Sequence, residues 1–133
     1  MKVMIVEPDW RFAEQAMGYL ESKAHLVVSE PDVSAALERV DRWQPDLVIL
    51  AAELALQEGV VESLTASKAR PAILLTERMD RFDRAWRAWQ RGGDELLIKP
   101  VLAADELHMA IMAARENATA ETWQSRRMAL MAS

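Results

Sequence analysis

A chain of 133 residues, about half of them hydrophobic (51%) and 28% charged, has the length and composition of one folded domain with a single core. Its formal net charge of −5 gives no global attraction to nucleic acid or to an anionic membrane, and the absence of cysteine removes disulfides, thiolate nucleophiles and cysteine-held zinc. The apolar run Val3 to Val6 is too short for a signal peptide and no stretch is long enough to span a bilayer, so the expected location is the cytoplasm.

The chain then alternates short apolar runs with amphipathic stretches. Residues 2–6 (KVMIV) are expected as strand β1. Residues 10–23 place Phe12, Ala16, Tyr19 and Leu20 on one side of helix α1. Strand β2 follows at 25–29. Pro31 and Asp32 signal the start of α2, which runs to residue 43 with Val33, Ala36, Leu37 and Val40 at helical spacing. The spacing predicts β3 at 46–51, α3 at 60–68, β4 at 71–76 and α4 at 81–91, the last stopped by Gly92 and Gly93. Strand β5 (95–98) and helix α5 (104–117) complete a domain over residues 1–117. Residues 118–133 are expected as a C-terminal helical extension or a linker. Their weak patterning through Trp123, Arg127 and Leu130, with Met128 and Met131, suits either a frayed terminus or a segment docked on a neighbouring subunit.

Five β-α alternations with strands apolar throughout imply an α/β fold, a parallel sheet covered on both faces. Right-handed crossovers then favour the doubly wound order 2-1-3-4-5. In such sheets ligands bind beyond the carboxyl ends of the strands, and those ends here carry Glu7, Pro8 and Asp9, then Ala51, then Thr76 and Glu77, then Lys99 and Pro100.

The order and spacing of these marks carry a resemblance. "MIVEPD" follows the first strand, "PDLVIL" enters the third, and Gly59 lies eight residues after Ala51. "ILLT" on the fourth strand and "GGDELLIKP" around the fifth complete the set. Over residues 1–117 the chain resembles the receiver domains of bacterial response regulators, the CheY-like family, with its flavodoxin-like (βα)5 fold. In that family an aspartate at the end of β3 takes a phosphoryl group from a histidine kinase. Acids after β1 hold Mg²⁺, a Thr or Ser on β4 and a Lys on β5 bind the phosphoryl oxygens, and an aromatic on β5 relays the state to the α4-β5-α5 face. The resemblance also implies a cis Lys99-Pro100 bond.

Carried over by position, the phosphoacceptor is Ala51, whose methyl group can neither form an acyl phosphate nor bind a cation. The acidic pair becomes Glu7 and Pro8, with Asp9 one residue further on. Thr76 and Lys99 match. Glu77 stands where most relatives have a small residue and would repel phosphate, and the relay aromatic is Leu96. These departures fall on one pathway. The expectation is therefore a non-enzymatic, phosphorylation-independent pseudo-receiver without a Mg²⁺ cofactor, in which Lys99 pairs with Glu7 or Glu77 to hold the crevice in one conformation. If a cation were held at all, its ligands would be Glu7 and Asp9.

On α4, Phe82, Ala85, Trp86 and Trp89 share a stripe expected to pack on the sheet, and Arg84, Arg87 and Arg91 share the opposite, solvated one. The resemblance makes the α4-β5-α5 face the expected contact for a protein partner or a second copy of the chain, with Arg84, Arg87, Arg91 and Leu96 on it. Two alternatives stand beside this: phosphorylation at Glu53 or Asp9, and a nucleic-acid contact through the arginine stripe. No membrane contact is expected. His25 and His108 lack a second ligand at helical spacing and read as ordinary surface or helix residues, and Asp46 as a turn or cap residue.

Overall fold

The computed structural model describes residues 1–119. Strands β1 (Lys2–Val6), β2 (Leu26–Ser29), β3 (Leu47–Ala51), β4 (Ala72–Arg78) and β5 (Glu95–Lys99) form one parallel sheet in the order β2-β1-β3-β4-β5. Helices α1 (Trp10–Ser22) and α5 (Ala104–Asn117) cover one face, and α2 (Val33–Trp43), α3 (Val60–Thr65) and α4 (Phe82–Gln90) the other. A single helical turn, Ala52–Ala55, follows β3 directly. The expected extension over 118–133 falls, after Thr119, outside the described residues.

The period of two along each strand explains the layering. Val3, Ile5, Leu47, Ile49, Leu74 and Leu97 point to Phe12, Ala16 and Leu20 of α1 and to Leu107, Ile111 and Ala114 of α5. Met4, Val6, Val48, Leu50, Ile73 and Leu75 point the other way, onto Ala36, Val40, Val61, Leu64 and Ala88. Every residue of β3 is buried. Each large side chain buried this way stabilises the fold by about 1.5–3 kcal/mol, so the centre of the sheet is secured by Leu47 to Leu50 whatever chemistry follows at residue 51. Local signals start the helices: Asp9 Oδ1 accepts from the Phe12 N–H at 3.3 Å, and Asp32 Oδ1 from the Ser34 N–H at 3.0 Å.

Two glycines are required by geometry. Gly59 enters α3 with φ of 80°, a left-handed conformation that side chains with a Cβ rarely adopt. A Cβ on Gly93 would lie 2.3 Å from Leu75 Cδ1, so only glycine lets the α4–β5 turn approach β4 this closely. Beside it, Asp94 is completely buried and accepts from two guanidinium nitrogens of Arg70 (3.1 and 3.0 Å) and from the Ile73 N–H (2.8 Å). Asn117 Nδ2 donates to the Asp94 carbonyl at 2.9 Å, tying the end of α5 to the same turn. At this edge Asp46 takes the turn role expected of it, accepting from the Lys2 N–H at 2.7 Å.

Helix α4 corrects one expectation. Phe82 and Trp86 do not pack on the sheet; they are 52% and 50% exposed, while Ala85 and Ala88 are fully buried and Trp89 partly. The reason is the rotation of the helix. Arg84 is drawn inward to Glu77, and the two alanines permit close approach to the sheet. At about 100° per residue, a helix with Arg84, Ala85 and Ala88 inward carries Trp86 to the far side.

Candidate functional site

The crevice at the carboxyl ends of the strands gathers Glu7, Ala51, Thr76 and Lys99. Each continues the parity of its strand (Ile5, Ile49, Leu74, Leu97), which brings all four to the α1/α5 side. Ala51 and Thr76 are register partners, and Ala51 is 3% exposed. Glu7, equally buried, is the hub. Its Oε2 accepts from Thr76 Oγ1 at 2.6 Å and from Lys99 Nζ at 3.3 Å, and its Oε1 accepts from the Asp9 N–H at 3.1 Å. Lys99 Nζ also donates to Asp9 Oδ2 at 3.3 Å and lies 5.4 Å from the centre of the Phe12 ring. Burial works against the charged form of Asp9, but the Phe12 N–H and Lys99 outweigh it and hold the carboxyl below the usual aspartate range. Lys99-Pro100 is cis, as the resemblance implied. A cleft of about 570 Å³ opens outside this cluster, between Asp9, Phe12, Arg78, Met79, Lys99 and Pro100.

Glu77 does not share the crevice, which corrects the expectation that it would repel phosphate there. Strand β4 runs on to Arg78, so Glu77 has the parity of Ile73 and Leu75 and points to the α4 side. There Arg84 clamps it through Nε, and through a second guanidinium nitrogen at 3.0 Å, while the Arg78 N–H donates at 2.8 Å. Of the two partners expected for Lys99 it is Glu7 that pairs with it, together with Asp9. Glu77 is therefore a neutralised carboxylate on the far face, not a repulsive charge beside Thr76. The parity was readable in "AILLTER" once the strand was allowed to extend past Thr76.

The same contact removes Arg84 from the solvated stripe. Its side chain is only 22% exposed, and it lies 3.9 Å from Glu53. Glu53 is thus turned toward α4, not toward Lys99. Arg87 remains outside, 3.5 Å from Asp83, and Arg91 is exposed. Leu96 is half-buried against the core on the α2/α3/α4 side.

Burial opposes ionisation of Glu77, but the Arg84 hydrogen bonds, the Arg78 N–H and the nearby positive charges hold it below the ordinary glutamate value of 4.5. Below that value an unfolded Glu77 takes up a proton that the folded one refuses, so stability falls as pH falls through this window. Urea denaturation at several pH values should show a shallower acid limb for Glu77→Gln than for the parent chain. An identical slope would mean that the clamp is not linked to folding.

The donor set does not fit Mg²⁺, which takes several hard oxygen ligands in near-octahedral geometry. Pro8 and Ala51 offer no side-chain oxygen, Glu7 is shared between Thr76 and Lys99, and Asp9 between Lys99 and the Phe12 N–H. The ammonium of Lys99 already bridges the two carboxylates. Among the described residues no group of three or more His, Cys, Asp or Glu side chains is placed to hold a metal ion.

No known family profile matches the chain. It is 27% identical over 103 residues to the two-component response regulator PhoP of Pseudomonas aeruginosa, covering 75% of this chain and 45% of the relative. It is 29% identical over 101 residues to the transcriptional regulatory protein YxdJ of Bacillus subtilis, covering 74% and 44%. The chain thus spans less than half the length of these curated relatives. Among solved structures, the receiver domain of NtrX from Brucella abortus superposes with a TM-score of 0.74 at 20% identity, over 87% of this chain and 99% of that one. The fold is that of a response-regulator receiver domain. Sequence relatives and structural neighbours both support this reading. Within the receiver fold, Thr76 and Lys99 keep the phosphoryl-binding positions that the resemblance assigns, but both point their polar atoms at Glu7. No helix among the described residues is long and apolar enough to cross a membrane.

Proposed function

We propose that this chain is a phosphorylation-independent pseudo-receiver, a non-enzymatic protein–protein interaction module in bacterial signal transduction or transcription control. The observation that carries the reading is the hub at Glu7. The groups that would receive phosphate, Thr76 Oγ1 and Lys99 Nζ, are engaged by its carboxylate, and the acceptor position beside them is a buried methyl group. Such a crevice has no acid to phosphorylate at Ala51 and no oxygen cage for Mg²⁺. Function then falls to the surface, in the cytoplasm. The α4-β5-α5 face supports this, since Phe82 and Trp86 stand half-exposed there beside Arg87 and Arg91, and aromatics and arginine anchor many interfaces. A protein partner fits this face, as does a second copy of the chain.

The test is an NMR titration with beryllofluoride, and separately acetyl phosphate, in the presence of Mg²⁺. The amide spectrum should stay unchanged. Saturable Mg²⁺-dependent shifts around Thr76 and Lys99 would overturn the reading in favour of phosphorylation at Glu53 or Asp9. Salt-dependent binding to RNA or DNA, weakened by Arg87→Ala and Arg91→Ala, would instead favour a nucleic-acid role.

A further inference from the structure

We propose that the groove between α1, the start of β2 and α5 binds a small amphipathic anion, an aromatic or acyl body carrying a carboxylate, sulfonate or phosphate. The groove encloses about 590 Å³ and shares no residue with the cleft at Asp9 and Lys99. That volume lies within the range of small-molecule sites, which are mostly apolar with a few convergent polar groups.

Its apolar part is Tyr19 and Leu20 from α1 and Ile111 and Met112 from α5. Leu20 and Ile111 form a buried floor, and Met112, 53% exposed, is an unbranched side chain able to adjust to the shape of a ligand. Around this floor stand Lys23, His25, His108 and Arg115. Neither Lys23 nor Arg115 has an ion-pair partner among the described residues. The single lining carboxylate, Asp105, is in the first turn of α5, about 15 Å along the helix from Arg115 at 1.5 Å per residue. It cannot neutralise the Arg115 end.

The local field agrees. His25 Nδ1 accepts from the Met1 ammonium at 3.0 Å, and its pKa is held below the ordinary histidine value. Burial is the first cause, followed by positive charge on the Met1 amino group, Arg115 and His108. On a chain of net charge −5, Lys23 and Arg115 are cations without an ion-pair partner among the described residues, set beside an apolar floor. An anionic head would meet Lys23 and Arg115 in charge-assisted hydrogen bonds while its apolar body covers Leu20 and Ile111.

The dye 8-anilinonaphthalene-1-sulfonate, an aromatic sulfonate, tests this on the full chain of residues 1–133. Saturable binding to one site is expected, with amide shifts at Lys23, His25, His108 and Arg115. The double variant Lys23→Ala/Arg115→Ala should weaken Kd at least about tenfold, the loss expected for one charge-assisted contact, while Arg115→Lys retains most of the affinity. Thermal melting of each variant separates loss of the site from loss of the fold. Equal binding of the uncharged N-phenyl-1-naphthylamine, unchanged Kd in the double variant, or shifts confined to the Asp9–Lys99 cleft would each overturn the assignment.

Discussion

Asp94→Ala is expected to lower the unfolding free energy by about 4 kcal/mol, the scale of a buried ion pair broken on one side. The carboxylate has no solvent exposure, and its removal takes three hydrogen bonds at once, two from Arg70 and one from the Ile73 N–H. Arg70, at 22% exposed, can recover some hydration. The Ile73 N–H is buried in the sheet and cannot, and an orphaned buried donor alone costs about 1–3 kcal/mol. Against a typical total of about 5–15 kcal/mol this is a large fraction, so chemical denaturation should show it plainly. Asp94→Asn keeps an acceptor for that N–H and should lose about half as much. A loss below about 1 kcal/mol for the alanine variant would show that water replaces the carboxylate and that the turn is held by Gly93 packing instead.

Glu7→Ala should cost on the order of 3 kcal/mol, because it strands the Thr76 hydroxyl and removes one of two carboxylates from a Lys99 ammonium that is 11% exposed. Lys99→Met alone should cost a similar amount by leaving the Glu7 charge buried against apolar neighbours. The informative measurement is the double variant Glu7→Gln/Lys99→Met. Glutamine keeps acceptor oxygen for Thr76 and methionine keeps the volume of lysine, so the pair is dissolved with no buried charge left behind; Asp9 also loses Lys99, but its carboxylate is 41% exposed and can be hydrated. Its cost should fall well below the sum of the Glu7→Gln and Lys99→Met single variants, with a coupling energy of about 1–3 kcal/mol in that double-mutant cycle. Additive losses would mean that Glu7 and Lys99 act independently and that the hub is not one unit. The same variants bear on the proposed function, since a crevice held in one conformation by this pair should relax when the pair is dissolved. Amide shifts spreading from Lys99 along β5 would report that.

Much of this molecule is legible in its sequence. Strand parity and helical spacing are local properties of the chain, and they placed five strands and their covering helices because apolar burial dominates the free energy of a sheet buried on both faces. That residue 51 is an alanine is likewise a fact of sequence, and no tertiary arrangement gives a methyl group a carboxylate's chemistry; that an acceptor would stand there is what the resemblance implies. Pairing among charged residues is different. Arg84 has Asp80, Asp83 and Glu77 within reach along the chain, and Lys99 has Glu7, Asp9 and Glu77 across the sheet; nothing local ranks them. Their choice depends on which face of β4 carries residue 77 and on how α4 is rotated, and each of these settles the other. Asp94 and Arg70 are 24 residues apart and meet only when β4 and β5 lie side by side. The exposure of Phe82 and Trp86 has the same origin, since an amphipathic helix with aromatics on one side and arginines on the other can turn either toward a sheet that offers it a buried acid. Composition and periodicity set the layers, and the resemblance supplied the reading of Ala51, while ion-pair partners, helix rotation and the cationic groove beside α5 came only from the three-dimensional packing, because electrostatic choice acts over ångströms in space and not over positions in the chain.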